Sequence, residues 1–104
     1  MAAGQMADAA ESFRAAVQAD PDNLEAYYGL VRALCGAGRP EQAVTAALAL
    51  TVLAPNDPPA HTSLSIALRQ AGQIRQAEMA AGRARILEWK QQLNAGAEVH
   101  ASLQ

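Results

Sequence analysis

The sequence is poor in the residues that sheets, disulfide scaffolds and membrane spans require. Only four of its 104 residues are aromatic, and the β-branched and aromatic alternation typical of strands occurs nowhere. The single cysteine, Cys35, cannot form a disulfide within the chain. The most apolar stretch, residues 43–54, is shorter than the roughly 20 residues of a membrane-spanning helix. We therefore expect no membrane insertion. The N-terminal residues do not show the basic segment and long apolar run of a secretory signal, so by default we expect a cytoplasmic protein.

Residues that carry catalytic or ligand-binding chemistry are equally sparse. His61, His100 and Cys35 do not follow the spacing of metal ligands, and nothing in the sequence orients a Cys–His nucleophile pair. The Gly-Ala-Gly segment at residues 36–38 does not follow a strand, as a phosphate-binding loop would. No cluster of basic and aromatic residues indicates a nucleic-acid surface. We expect no catalytic residue, metal, cofactor or nucleic-acid partner, and hence no enzyme.

Alanine and an uneven charge distribution are what the sequence does contain. Alanine occupies 26 positions, which favours helices and allows their backbones to approach closely. Residues 1–25 carry five acidic side chains and one basic one, and residues 69–90 carry five basic and two acidic ones. These segments are either ordinary solvated helix faces or complementary ends through which two molecules pair.

Residues recur along the chain at an interval of 34. A shift by this length places Leu30 on Leu64 and Gly38 on Gly72. Other positions recur in the same phase, among them Leu34 with Leu68, Ala43 with Ala77, and Leu53 with Leu87. Because these glycines and leucines fall where helices end and pack, the periodicity indicates a repeated structural unit.

One such unit has the signals of two helices. The turn at residues 20–23 can cap a helix whose apolar residues recur at helical spacing, and Gly38 can end it in a left-handed conformation. Pro40 suits the first turn of the next helix, and residues 54–58 close the unit, with Asp57 as the cap of the helix that follows. Ala43 and Ala77 are expected to mark the closest approach of paired helices, where a larger side chain would not fit.

This pattern resembles the tetratricopeptide repeat. Ala43 and Pro55 match the family's motif, whereas Tyr27 replaces its first tryptophan and Trp89 its final proline. Residues 24–57 and 58–91 resemble full repeats, residues 1–23 the second helix of an incomplete first repeat, and residues 92–104 a C-terminal helical extension or tail. The resemblance implies one all-α domain, a right-handed α-solenoid of antiparallel helix pairs with about five helices.

The resemblance also implies a function, the binding of a partner protein or peptide in a concave groove. Arg32 and Arg69 are expected to hold a carboxylate or carbonyl of the ligand. Two other functions stay open, a docking or regulatory arm of a larger enzyme and a structural self-assembly unit. Carried over by position, the residues of the groove are Glu25, Tyr28, Arg32, Cys35, Thr62, Ile66, Arg69 and Gln70.

The incomplete first repeat leads to a further expectation. In the family, a helix that this chain has no room for would pack on the first helix, which we place at about residues 6–19. Without it, we expect an apolar face on the first helix to meet water. Three arrangements would cover it: further repeats of a longer protein, the C-terminal extension folded back, or a second molecule. We expect a domain of a larger protein that self-associates as a homodimer when isolated. The residues of this face are Ala9, Phe13, Ala16 and Val17. The last helix is expected to end near residues 94–96.

Overall fold

Five helices form the chain. The computed structural model describes the backbone of residues 2–103 and the side chains of residues 4–96. Over this range it contains α1 (Ala2–Ala19), α2 (Leu24–Gly36), α3 (Pro40–Leu53), α4 (Pro58–Gln70) and α5 (Ile74–Leu103), and no strand. The all-α architecture of antiparallel helices expected from the sequence is therefore confirmed.

The turns that follow α2 and α4 have the same structure. Gly38 and Gly72 have φ angles of 73° and 82°, a left-handed conformation that glycine adopts without a steric cost. The amide of Arg39 donates to the Leu34 carbonyl at 2.9 Å, and the amide of Gln73 donates to the Leu68 carbonyl at 2.9 Å. This pattern satisfies the last carbonyl groups of each helix, so both turns are compact and reverse the chain in the same way.

The helices α2, α3 and α4 begin at residues that favour a helix N-terminus. Pro40 and Pro58 are the first residues of α3 and α4, where the missing N–H group costs no hydrogen bond. Asn23 caps α2, because its side-chain oxygen accepts a hydrogen bond from the amide of Ala26 at 3.1 Å. Asp57 occupies the N-cap position of α4, as expected, but its carboxylate makes no capping hydrogen bond.

The helices are arranged in two layers. In the inner layer, α2 packs directly on α4. In the outer layer, α1 packs on α2, α3 on both α2 and α4, and α5 on α4. No Cα pair within 8 Å joins α1 to α3 or α3 to α5 among the described residues. Because the backbones of the inner helices approach each other closely and those of the outer helices do not, the stack curves with α2 and α4 on its concave side.

Alanine brings the layers together. Ala43, Ala47 and Ala77 are fully buried at 0 % exposure, so the two positions expected to mark close approach lie at helix contacts. Leu34 and Leu50 are the largest fully buried side chains. A core of small residues leaves little room for added methylene groups, which explains why so few aromatic residues are needed.

Polar side chains also join neighbouring elements of the second repeat. The buried Ser65 hydroxyl donates to the Ala77 carbonyl at 2.8 Å, which ties α4 to α5. His61 Nε2 lies 2.8 Å from the Pro55 carbonyl oxygen, so this ring holds the turn that precedes α4. His61 therefore has the structural role that its place in the repeat indicates.

Both terminal helices are longer than the sequence patterns predict. The first helix begins at Ala2 rather than near residue 6, and α5 continues to Leu103 rather than ending near residues 94–96. Gly96 does not adopt a positive φ angle, and a glycine inside a helix costs only about 1 kcal/mol relative to alanine. Without a proline or a left-handed glycine, nothing stops α5 at this point.

Candidate peptide-binding cleft

A cleft of about 260 Å³ lies between the two inner helices. Its α2 wall carries residues one helical turn apart, and its α4 wall carries a serine and an isoleucine at i and i+3, which face the same side. The lining is mostly apolar with one cationic group. It consists of Tyr28, Val31, Arg32, Cys35, Ser63 and Ile66.

The structure brings together half of the eight residues expected in the groove. Tyr28, Arg32, Cys35 and Ile66 line the cleft, and Ile66 is 51 % exposed. The other four are exposed on the same two helices but do not line it: Glu25, Thr62, Arg69 and Gln70.

Two residues that line the cleft were not predicted from the sequence. Val31 belongs to the buried side of α2 and is 4 % exposed, but its edge reaches the cleft. Ser63 lies three residues before Ile66, and this helical spacing could have identified it. Sequence position alone did not distinguish Ser63 from its neighbour Thr62, whose side chain points elsewhere.

Tyr28 is held in place by a hydrogen bond to the residue that precedes α4. Its hydroxyl donates to Asp57 Oδ2 at 2.6 Å. Burial, this hydrogen bond and the negative charge of Asp57 raise the pKa of Tyr28 above its ordinary value, in that order of size. The hydroxyl therefore stays protonated and oriented. The Asp57 carboxylate, which makes no capping hydrogen bond to α4, instead fixes one wall of the cleft.

The remaining polar groups of the cleft differ in their freedom to act. Arg32 is exposed, and none of the ion pairs among residues 4–96 includes it. Its guanidinium group can therefore donate to a ligand carbonyl or carboxylate. Burial raises the pKa of the Cys35 thiol, which disfavours the reactive thiolate. The cleft thus offers one cation, an oriented phenol and an apolar surface.

The residues expected to mediate self-association pack within the chain. Val17 is 9 % exposed, and Ala9, Phe13 and Ala16 are half-buried against the core formed with α2. The ring of Phe13 lies so close to Gly29 that a Cβ atom there would overlap it. The expectation that this face meets water is wrong, because α2 covers it. Self-association of the chain stays a prediction.

Within the part of the chain that the structure describes, no group of three His, Cys, Asp or Glu side chains is placed to hold a metal ion. None of the described helices combines the length and the apolar character that crossing a membrane requires.

The comparison with known families decides the identity of the fold. The family model described as "Tetratricopeptide repeat" matches residues 1–65, more than half of the chain. The chain belongs to the tetratricopeptide repeat family. Repeats of this family generally serve as interaction modules, so a general role in binding other proteins follows from membership.

A solved structure confirms the architecture of these repeats. The chain titled "MamA MSR-1 C2" is similar with a TM-score of 0.78 and 22 % sequence identity, over 84 % of the present chain and 50 % of that chain. The present chain thus spans about half the length of this structural relative. At such low identity the likeness shows the fold alone. No curated protein matches the sequence at a significant level.

Proposed function

We propose that these repeats bind a peptide or helix of a partner protein in the cleft between α2 and α4. The observation that supports this proposal is the convergence of Arg32 and Ile66, from two repeats, on one partly open cavity. A guanidinium group beside an exposed aliphatic side chain suits a ligand with an apolar residue and a neighbouring carboxylate or carbonyl.

Each wall of the cleft has a distinct part in this proposed binding. Ile66 and Val31 supply apolar contact, and Arg32 supplies the charge-assisted hydrogen bond. Because the Tyr28 hydroxyl donates to Asp57, only its oxygen lone pairs and ring face stay available to a ligand. A ligand group that donates a hydrogen bond is therefore preferred beside Tyr28. The fixed ring also lowers the entropy cost of binding.

The proposal can be tested with peptides selected from a displayed random library against the purified chain. Arg32→Ala should weaken the selected peptides about tenfold or more, since a hydrogen bond to a charged group contributes roughly 1.5–3 kcal/mol. Ile66→Asp should abolish binding by placing a second charge in an apolar contact. Circular dichroism should show unchanged helicity for both variants.

Two further variants show where the binding surface ends. Arg69→Ala tests whether it extends beyond the cleft lining to the second arginine expected from the sequence. Arg75→Ala, a matched removal of an exposed arginine on α5, should leave affinity unchanged. Peptides that bind the Arg32→Ala and Ile66→Asp variants as tightly as the native chain would show that the ligand site lies elsewhere.

A further inference from the structure

Two grooves lie on the outer side of the stack, because the outer helices are held apart above the inner ones. The first outer groove, between α1 and α3, has a volume of about 340 Å³ and is floored by Leu30 and Leu34 of α2. The second outer groove, between α3 and α5, has about 440 Å³ and is floored by Leu64 and Leu68 of α4. The 34-residue shift relates the two floors, so the grooves are equivalent parts of successive repeats.

The rims of the two grooves differ in chemistry. Arg14 bridges the first one, since its guanidinium group donates to Gln42 Oε1 across the groove at 3.0 Å. In the second, Leu48 stands at the position of Arg14 and Met79 at that of Thr45. Leu48 is 50 % exposed and Met79 is 70 % exposed. The second outer groove therefore has an apolar rim with none of the described residues across it, whereas the rim of the first is polar and bridged by a hydrogen bond.

The second outer groove fits a helix better than an extended peptide. Its walls are helices whose backbone groups are already paired, and its polar lining groups are the side chains of Gln73 and Gln76. An extended peptide would leave most of its own N–H and C=O groups unpaired against this surface, whereas a helix satisfies them internally. The unbranched Met79 side chain can adapt to the apolar ridge of such a helix.

Charge beside this groove indicates the composition of the ligand. None of its lining residues is charged. Arg83 on the adjoining side of α5 stands at the position of Ala49, which lines the first outer groove, and Lys90 follows on the same side two turns later. Among the residues of α5 whose side chains are described, the acidic ones, Glu78 and Glu88, both lie about 140° around the helix from Arg83. The α5 flank is therefore basic around Arg83, and there it favours acidic side chains.

Over residues 4–96, α1 and α5 of a second copy of the chain do not supply a matching helix. The acidic α1 turns its large apolar side chains, Phe13 and Val17 among them, toward its own core. The exposed apolar residues of α5, such as Ile86, lie among Arg85 and Lys90, which Arg83 would repel.

We propose that the second outer groove docks an acidic amphipathic helix of another protein. Apolar side chains of that helix insert between Leu48 and Met79 onto the leucine floor, and its acidic residues face Arg83 and Lys90. This site lies on the opposite side of the stack from the cleft between α2 and α4, and either site can be occupied without the other.

The test uses a defined probe. It is a fluorescein-labelled, alanine-based helical peptide with leucines at i, i+3 and i+7 and glutamates beside them, compared with the same peptide carrying lysines instead. Fluorescence anisotropy measures affinity. The methyl resonance of Met79 in a ¹³C-methyl-methionine sample locates the site, with Met6, which lies against Gly36, as an internal reference.

We expect the glutamate peptide to bind at least tenfold more tightly than the lysine peptide. It should shift the methyl resonance of Met79 and leave that of Met6 unchanged. The double variant Leu48→Arg/Met79→Thr copies the first rim and should weaken the glutamate peptide at least tenfold. Ala15→Arg, which adds the same charge on α1, should not. Arg83→Glu should remove the preference for glutamate.

Other outcomes overturn the proposal. Equal affinity for the two peptides, no shift of Met79, or unchanged affinity of the Leu48→Arg/Met79→Thr variant each rule out this docking mode. Vesicles of phosphatidylglycerol serve as a second probe. If they shift Met79 and the glutamate peptide does not, the groove recognises an anionic lipid surface instead.

Discussion

The first and second outer grooves share a helical framework and a leucine floor, and they differ at the side chains of their rims. Arg14 reaches Gln42 across the first groove, whereas Leu48 and Met79 leave the second open. The backbone that creates the two grooves is set by residues the repeats have in common, such as Gly38 and Gly72. The residues at the rims do not set the backbone. Substitutions there can therefore change the chemistry of one groove without altering the fold.

The α1–α2 and α3–α4 interfaces show a second difference, in side-chain volume. At the first, the large Phe13 lies against Gly29. The 34-residue shift places Ala47 at the position of Phe13 and Ser63 at that of Gly29. A large and a small residue at one interface thus correspond to two small residues at the next. Successive repeats keep their helix spacing with different pairs, as close packing requires.

The largest effect we expect is on the leucine floors. Leu34→Ala should lower the free energy of unfolding by about 3–5 kcal/mol, because this side chain is 1 % exposed and its removal leaves a cavity beneath the bridged groove. Leu68→Ala, at the equivalent position, should cost only about 2–3 kcal/mol, since an open groove admits water to the space. Urea denaturation measures both values. Equal losses would mean that the two grooves are equally closed.

The packing of Phe13 against Gly29 should give the next largest effect on stability. Gly29→Ser copies the second interface onto the first and should cost about 1–3 kcal/mol through overlap with Phe13. Adding Phe13→Ala should relieve that overlap, so the double variant loses less than the sum of the two single losses, by about 1 kcal/mol or more. Thermal melts of the four proteins complete the cycle. Strict additivity would show that the pair does not act as a unit.

The inner cleft provides a smaller effect that depends on pH. The pKa of Tyr28 is raised by burial and by Asp57, so the native state keeps this proton to higher pH than the unfolded chain does. The hydrogen bond's contribution is present below about pH 10 and is lost as the pH rises above it. Tyr28→Phe should lower stability by about 1 kcal/mol at pH 7 and flatten its decline in alkali.

Asp57→Asn serves as the matched variant for this test, because it keeps a hydrogen-bond acceptor and removes the charge. Its alkaline decline should fall between those of the native chain and Tyr28→Phe. Denaturant titrations at a series of pH values from neutral to strongly alkaline give the curves. An identical pH dependence for all three proteins would contradict the role assigned to the Tyr28–Asp57 hydrogen bond.

The smallest effect on stability concerns the rim itself. Arg14→Leu/Thr45→Met copies the second rim onto the first and removes only exposed contacts, so stability should change by less than about 1 kcal/mol. The change should nevertheless open the first groove to apolar side chains. A rise in dye binding by 1-anilinonaphthalene-8-sulfonate measures this opening. If binding does not rise, the rim residues do not control access.

Much of the fold could be predicted from local signals. The glycines at positions 38 and 72 and the prolines at positions 40 and 58 mark helix ends because their backbone preferences act without help from distant residues. The outer limits of α1 and α5 could not be predicted in this way. No strong helix-breaking signal lies near either end. A glycine such as Gly96 destabilises a helix by too little free energy to end it.

The candidate cleft was predictable in its helices and only partly in its residues. The repeat pattern identified α2 and α4 as its walls, and Tyr28 and Ile66 as lining residues. It also included Thr62 and left out Ser63, because a shift of one position turns a side chain by about 100° around the helix. The hydrogen bond between Tyr28 and Asp57 could not be predicted either. A carboxylate that can cap a helix can also accept a hydrogen bond from a distant residue that folding brings close.

By itself, the sequence determined the repeat, its length of 34, the positions of its turns and the helix faces that become buried. Each of these follows from backbone preferences and from apolar periodicity, which act over a few neighbouring residues. Only the tertiary structure decided that Phe13 is covered by α2, that Tyr28 pairs with Asp57, and that Arg14 bridges to Gln42. These contacts depend on the distance and rotation between packed helices, and side chains 16 to 29 positions apart carry no local signal of their meeting.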